Sequence, residues 1–349
     1  MSYILRTATP DEIRRWDDLV ATNPGGGEIF QTTSFATLKS GGKWQIRYMI
    51  YENDIEQVAA LMLERSFPLI GTQLYCPMGP DILPRQLGDI LDANKQYAKA
   101  HRDVFSFKME SSLPADIALP ASVRRVKTIQ PHAAITCIVK FDGSEDDLFM
   151  SYKARARNLI RNAEKNGVTI RAVESNDENT RKMFALYSAT AERNQFFVRP
   201  FEYYQKFWNQ FARDGRGQMF FAEREGQLLS AGYVIWLGTR GYHKDGASPR
   251  GVALHNAPYL MQWYMQRWLM HKGIKTYEMI GVPPPDKLDD KSHPLYNLGV
   301  FKTAFNPVIT EMLGTIDQVT SPARYARWQK FGQKVANRVA RHLWRDSLY

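Results

Sequence analysis

The chain has 349 residues, of which 44% are hydrophobic and 23% charged, as in a folded globular protein rather than a disordered or fibrous one. Lys and Arg number 46 against 36 Asp and Glu, and the net charge of +10 favours polyanionic partners such as nucleic acid, nucleotide phosphates or anionic lipid. Cys76 and Cys137 alone make neither a disulfide framework nor a paired zinc site. Neither a signal peptide nor a membrane-spanning run is evident, so we expect a cytoplasmic protein.

Four elements recur in the same order in the two halves of the chain. In the first half, a helix at 11–21 precedes a β-hairpin at 44–64, and a helix near 85–101 and a strand at 104–110 follow. The second half repeats this order with a helix at 177–193, a hairpin at 217–237, a helix at 256–271 and a strand at 274–280. A series of four elements indicates an internal duplication rather than a chance match.

Each half therefore has the pattern of a mixed α/β layer, with helices packed on a sheet. The order of elements resembles the N-acetyltransferase-like fold, and we predict two such domains in tandem. The first would span residues 1–142 and the second residues 143–320. The join lies near Phe141, where a strand pattern ends and Ser144 is suited to cap the next helix.

The last segment, residues 321–349, is predicted to be a basic amphipathic helix. Its apolar residues recur at helical spacing, and a single acid, Asp346, accompanies seven basic residues: Arg324, Arg327, Lys330, Lys334, Arg338, Arg341 and Arg345. Such a helix could lie on a membrane surface, bind nucleic acid or pack on the protein body.

Four stretches resemble one known family, the Fem transferases (FemX, FemA and FemB), which build the peptide cross-bridges of bacterial peptidoglycan. They are residues 157–168, residues 191–194 followed by 198–204, residues 220–226, and Phe301-Lys302 followed by Phe305. The resemblance extends from about Phe30 to Asp317. It implies a tandem N-acetyltransferase-like fold. No long charged heptad stretch lies between Asn256 and Phe301, which indicates the compact FemX-like form without a coiled-coil arm.

The resemblance also implies a reaction, the transfer of Gly, Ala or Ser from aminoacyl-tRNA to an amine on the stem peptide of a peptidoglycan precursor. The acceptor would be UDP-MurNAc-pentapeptide or lipid II. Both substrates are rich in phosphate, which fits the net charge. Compact relatives pack the C-terminal helix on the first domain, which would bind the acceptor. The excess charge of the helix leaves contact with tRNA or an anionic membrane open.

The resemblance places Lys302 and Phe301 at the reaction centre. Attack of an amine on an ester passes through a tetrahedral oxyanion, which the ammonium of Lys302 would stabilise. Phe301 would help to hold the tRNA end. Without the family context, a surface lysine beside a core aromatic would be the simpler interpretation.

Further residues match substrate-binding positions of the family. Lys39 would contact the acceptor diphosphate, and Arg199 and Tyr203 would contact the nucleotide portion, for which the guanidinium fork is suited. Arg199 also precedes Pro200 at a helix entry, and both roles can hold together. For Glu110, we favour a carboxylate that orients the substrate over a general base.

One position departs from the family, which usually has Tyr where this chain has Asp245. The tyrosine contact to the acceptor would be lost or supplied by Tyr242. The helix at 152–165 carries the basic residues Lys153, Arg155, Arg157 and Arg161. A solvated face and a tRNA phosphate surface explain this run equally well.

The histidines lack metal-ligand spacing, and neither a P-loop nor a GxGxxG motif occurs, so we expect no metal and no cofactor. Nothing in the sequence demands more than a monomer. Two alternatives stay open, an acyl-CoA-dependent N-acyltransferase on the same fold and a non-catalytic tRNA- or membrane-binding relative.

Overall fold

The computed structural model describes residues 2–40, 43–127, 129, 134–194, 198–249, 251–344 and 348–349. Arg345 and Asp346 of the predicted C-terminal helix lie outside these ranges. The chain folds into two compact units. The first unit is Met1–Ala134 with Met312–Tyr349, and the second unit is Ile135–Glu311.

The strands, in chain order, are β1 Ile4–Thr7, β2 Gln45–Glu52, β3 Gln57–Phe67, β4 Gly71–Cys76, β5 Val104–Pro114, β6 Val123–Arg125, β7 Ile135–Thr136, β8 Ile138–Lys140, β9 Thr169–Val173, β10 Gly217–Arg224, β11 Gln227–Leu237, β12 Arg240–Ala247, β13 Thr276–Glu278 and β14 Thr310–Val319. The α-helices are α1 Pro10–Arg14, α2 Trp16–Ala21, α3 Thr33–Lys39, α4 Leu87–Ala100, α5 Glu145–Ser151, α6 Ala154–Lys165, α7 Asp177–Asn194, α8 Phe201–Arg213, α9 Ala257–His271, α10 Tyr296–Lys302, α11 Pro322–Arg327 and α12 Gln333–Val339. Turns of π-helix at Trp328–Gly332 and Ala340–Trp344 follow α11 and α12. Within the described ranges, no helix combines the length and the apolar composition that crossing a bilayer requires.

The two sheets share one pattern. In the first unit the strand order is β1-β2-β3-β4-β5-β14-β6, and in the second unit it is β8-β13-β12-β11-β10-β9. Each contains an antiparallel meander of three strands, a helix, and a strand that returns parallel to the third, which gives the parallel pairs β4/β5 and β12/β13. The two predicted hairpins are therefore confirmed, and each repeat also contains a third strand, β4 or β12.

The turn of the second hairpin explains its tight register. Glu225 and Gly226 both have positive φ, 52° and 77°. Two such residues between antiparallel strands form a type I′ turn, the mirror image of a type I turn, whose twist matches that of the strands. Glycine adopts this conformation without a steric penalty, so the pairing of Arg224 with Gln227 is set locally, and the register shifts at a β-bulge between Ala222 and Glu223.

The two units differ from the domain limits predicted at 142 and 320. The predicted limits put β8 in the first domain, yet it pairs with β13 in the second unit. They put β14 in the second domain, yet from Met312 onwards it pairs with β5 and β6 in the first unit. These pairings are non-local, and the apolar pattern of a strand does not specify which sheet it joins.

Both faces of the first sheet are covered. On one face, α4 contributes Leu87, Ile90 and Leu91 to a core with the strands. On the other, the C-terminal helical segment buries Tyr325, Trp328, Ala336 and Ala340 against Phe67, Ile70 and Phe105. At Gly332 a Cβ atom would run into the side chains of Ile70 and Trp328, so glycine allows this approach without displacing either of them.

A buried ion pair joins β5 to β14. Lys108 and Asp317 are directly opposite in the register, with Nζ and Oδ1 2.6 Å apart and each side chain 3% exposed. The hydroxyl of Tyr325, in α11, donates to Asp317 Oδ2 at 2.7 Å. The Tyr349 ring lies 5.2 Å from Lys108 Nζ. Because a buried charge is tolerated only when it is paired, this cluster ties β14 and the C-terminal segment to β5.

We predict that Lys108→Met lowers the free energy of unfolding by roughly 3–5 kcal/mol, because Asp317 keeps a buried charge without its partner. Lys108→Met/Asp317→Asn should recover part of this loss, since neither residue is then charged. Urea denaturation measures both effects. Lys95→Met, which breaks an exposed pair with Asp92, is the control and should change stability by less than about 1 kcal/mol. A double variant less stable than Lys108→Met would contradict the prediction.

Candidate active site

Lys302 is the last residue of α10, and its side chain is buried, with 5% exposed. Its ammonium donates to the carbonyl oxygens of Ile280 and Gly281, the latter at 3.1 Å. Among the described residues, no carboxylate lies within ion-pair distance of Lys302. Burial lowers the pKa of Lys302 to about 7, although the neighbouring Cys137 and Glu278 oppose this shift.

These hydrogen bonds leave Lys302 suited to bind an oxyanion. An ammonium group has three N–H donors, and the two carbonyls accept only two of them. The remaining donor can bind an oxygen that gains negative charge. The low polarity of the surroundings strengthens such an interaction, because little water competes for the charge.

His243, on β12, is a half-buried neighbour of Lys302. Burial, followed by the charges of Lys302 and Lys244, lowers the pKa of His243 to about 3, so the ring is neutral at pH 7. Tyr277 donates its hydroxyl proton to Gln262 Oε1 at 3.0 Å. That bond turns the amide nitrogen of Gln262 towards the His243 ring, with 3.3 Å between Gln262 Nε2 and His243 Nε2.

Glu278, the last residue of β13, is a second buried titratable neighbour. Burial raises the pKa of Glu278 to about 6, against the opposing effects of Arg240, Thr136 and Lys302. Arg240 Nη2 lies 4.0 Å from Glu278 Oε2. Lys302 and Glu278 therefore influence each other: the carboxylate raises the pKa of the lysine, and the ammonium lowers that of the glutamate.

Asp245 lies in a polar network on the same strand as His243. Its carboxylate accepts from Trp208 Nε1 and from Lys244 Nζ, both at 2.9 Å, and it is 3% exposed. Burial lowers the pKa of Lys244, but the charges of Asp245 and Tyr203 outweigh it, so this pKa lies above its usual value. Asp245 thus has an internal role that does not depend on substrate.

Arg199 and Tyr203 flank this network at the start of α8. The Arg199 guanidinium lies 4.6 Å from the centre of the Tyr203 ring, and both side chains are half-buried. Phe301 is half-buried too, with its ring 4.9 Å from that of Tyr259. Tyr242 is fully buried, with the Arg240 guanidinium 5.6 Å from its ring centre.

The first unit contains the other two predicted substrate-binding residues. Lys39 ends α3, half-buried, with its ammonium 5.5 Å from the centre of the Phe35 ring. Glu110, on β5, is buried, and its Oε2 accepts from the Tyr75 hydroxyl at 2.5 Å and from the Met78 N–H at 3.4 Å. These donors fix the carboxylate as an acceptor within the first unit.

The predicted tRNA-binding residues at the start of α6 and along it are of two kinds. Lys153, Arg155 and Arg161 are exposed. The Arg157 guanidinium donates to the carbonyl oxygens of Met150 and Tyr152, at 2.8 and 2.6 Å, and so caps the end of α5. Three of the four basic side chains are therefore available to a phosphate backbone, and Arg157 has a structural function.

The structure brings Lys302 into one polar region of the second unit with His243, Lys244 and Asp245. Arg199 and Tyr203 lie beside Lys244 and Asp245. Sequence reasoning gives no role to Glu278, and for His243 it notes only that the histidines lack metal-ligand spacing. The signal for Glu278 is a carboxylate inside the predicted strand at 274–280. That pattern does not reveal that a lysine from another element lies nearby.

Comparison with known proteins gives consistent matches. A model of the FemAB family matches residues 124–223 and 216–332. A UDP-N-acetylmuramoylpentapeptide-lysine N(6)-alanyltransferase of Weissella viridescens is 26% identical, over 94% of this chain and 99% of its own length. A lipid II:glycine glycyltransferase of Staphylococcus aureus is 24% identical, over 88% of this chain and 92% of its own length. The crystal structure of FemX has a TM-score of 0.78 at 19% identity and covers 94% of this chain and 99% of that one, which confirms the predicted fold class.

We predict that Glu278→Gln lowers the pKa of Lys302 below its value of about 7, because the carboxylate that favours the ammonium is removed. The proportion of protonated Lys302 at neutral pH then falls. Carbon NMR of the reductively methylated protein, titrated with pH, measures this pKa directly, with Lys302→Met used to assign the signal. Glu164→Gln, at an exposed position of α6, is the control and should leave the titration unchanged. An equal or higher pKa in Glu278→Gln would contradict the proposed coupling.

Proposed function

The chain belongs to the FemAB family, and we propose that it is an aminoacyl-tRNA-dependent transferase that adds Gly, Ala or Ser to the stem-peptide amine of a peptidoglycan precursor. The acceptor would be UDP-MurNAc-pentapeptide or lipid II. The names of the two relatives support this, since one is an alanyltransferase and the other a glycyltransferase. The observation that carries the proposal is the buried ammonium of Lys302, held by two carbonyl oxygens.

In this reaction the acceptor amine attacks the ester carbonyl carbon of the aminoacyl-tRNA. A C–N bond forms, and the carbonyl oxygen gains the negative charge that the third N–H of Lys302 would bind. The C–O bond to the ribose then breaks. The amine gives up its proton, and the ribose oxygen leaves as a hydroxyl, so deacylated tRNA and a new amide are the products.

The remaining residues would bind and position substrates. Arg199 and Tyr203 present a guanidinium and a phenol beside each other, a combination suited to a nucleotide diphosphate. Lys39 would bind the acceptor diphosphate, and Glu110 would orient a substrate hydroxyl or amine. Phe301, packed on Tyr259, would hold the aminoacylated end of the donor tRNA near Lys302.

The first test measures transfer from radiolabelled Gly-, Ala- and Ser-tRNA to UDP-MurNAc-pentapeptide and to lipid II. We expect label to reach one acceptor, and Lys302→Met to lower kcat by roughly 10²–10³-fold, the cost of losing one oxyanion donor. Lys275→Met, an exposed lysine of the same unit, should retain full activity. Acetyl transfer from acetyl-CoA would instead support the alternative N-acyltransferase, and no transfer from any donor would support a non-catalytic relative.

The pH profile gives an independent check on Lys302. Raising the pH through about 7 removes its proton, so kcat/KM should fall on the alkaline side even as the acceptor amine becomes a better nucleophile. In Lys302→Arg the guanidinium keeps its charge, and residual activity should lack this fall. An unchanged alkaline limb in Lys302→Arg would exclude Lys302 as its origin.

A further prediction separates the two kinds of basic residue on α6. Lys153→Ala/Arg155→Ala/Arg161→Ala should raise KM for aminoacyl-tRNA and reduce the slope of log affinity against log salt by about 2–3, since each side chain would neutralise one phosphate. Arg157→Ala should lower thermal stability instead, because it uncaps α5. Filter binding over a salt series measures the slope. A triple variant with the slope of the wild type would show that α6 is a solvated face.

A further inference from the structure

The C-terminal helical segment exposes two apolar side chains that are not part of its core. Phe331 is 44% exposed and Val335 57% exposed, one helical turn apart. The buried positions of the same segment, among them Trp328 and Ala336, already pack on the sheet of the first unit. Phe331 and Val335 therefore contribute little to that core and form a second, outward apolar stripe.

Leu69 extends this stripe from another element. It lies in the turn between β3 and β4 and is 88% exposed, with a φ of 62° that glycine or asparagine would adopt with less strain. The Arg327 guanidinium donates to the Leu69 carbonyl oxygen at 3.3 Å, and Gly332 packs against Ile70. The turn is thus fixed beside the helical segment, and neither turn geometry nor core packing explains a leucine there.

Basic side chains border the apolar stripe. Arg327, Lys330, Lys334 and Arg338 are exposed on the same segment. In the sequence, no Asp or Glu occurs between Asp317 and Asp346. The surface made of Leu69, Phe331, Val335 and these four basic residues, here called the tail surface, is therefore both strongly positive and apolar.

We propose that the tail surface docks the protein on an anionic phospholipid bilayer. Lipid phosphates would pair with the Lys and Arg side chains, and the three apolar side chains would enter the boundary between headgroups and acyl chains. A polynucleotide matches the charge but not the apolar stripe, because Leu69 and Val335 can neither stack on a base nor bind a phosphate. The bilayer accounts for both features.

The test is sedimentation of the purified full chain with vesicles of phosphatidylcholine alone or mixed with an equal amount of phosphatidylglycerol. We expect binding to the mixed vesicles, weakened by salt, and little binding to the neutral ones. Lys330→Gln/Lys334→Gln should weaken binding roughly tenfold to a hundredfold, from the usual contribution of a basic residue near an anionic surface. Leu69→Ser/Phe331→Ser/Val335→Ser should weaken it by about tenfold or more.

Ile55→Ser is the matched control, since Ile55 is a 75% exposed apolar residue of the first unit in another turn. It should bind like the wild type. Phe331→Trp keeps the apolar stripe, and its fluorescence should shift to the blue with mixed vesicles. The replaced side chains are all exposed, so circular dichroism should show unchanged folding.

Two outcomes would overturn the proposal. One is equal vesicle binding by the wild type and the apolar triple variant. The other is loss of tRNA affinity in Lys330→Gln/Lys334→Gln with unchanged vesicle binding, which would make the tail surface a nucleic-acid contact. Vesicle binding does not require transfer activity, so these results are independent of the proposed reaction.

Discussion

The pairing of β14 with β5 is the constraint on which most of the structure depends. It completes the sheet of the first unit with a strand from late in the chain, and the buried Lys108–Asp317 pair fixes its register. If β14 slipped by one residue along β5, Asp317 would lie on the opposite face of the sheet from Lys108. Both proposed functional surfaces are attached to this strand along the chain: Lys302 precedes β14 by a short loop, and the C-terminal helical segment follows it.

Burial is the dominant electrostatic influence around Lys302. The same low polarity lowers the pKa of the lysine and of His243 and raises that of Glu278, so each group titrates far from where it would in water. Carbonyl oxygens partly replace the lost hydration of the ammonium without fixing a counter-ion to it. An ion pair would have kept the lysine charged at the expense of its availability to a substrate oxygen.

Local patterns could be predicted from the sequence, and long-range neighbours could not. Alternating strands around polar turns predicted both hairpins, and the repeated order of elements predicted the fold class, which the likeness to FemX confirms. The family and the transferase class suggested by motifs such as Phe301-Lys302 are confirmed by the family match and by the named relatives. The partner of β14 and the proximity of Glu278 to Lys302 arise from tertiary structure, which periodicity does not encode. The role of Lys302 itself came from the resemblance and stays a proposal.

The return of β14 also orders events during synthesis. Lys108 and Asp317 are 209 positions apart, whereas every strand of the second unit's sheet lies within Ile135–Glu311. As the chain leaves the ribosome, the second unit can therefore close its sheet while the open edge of β5 still waits for its neighbour. An unpaired strand edge invites association with other chains. We therefore expect the nascent first unit to be the part of this protein most exposed to association with other chains, since it completes its sheet last although it is translated first.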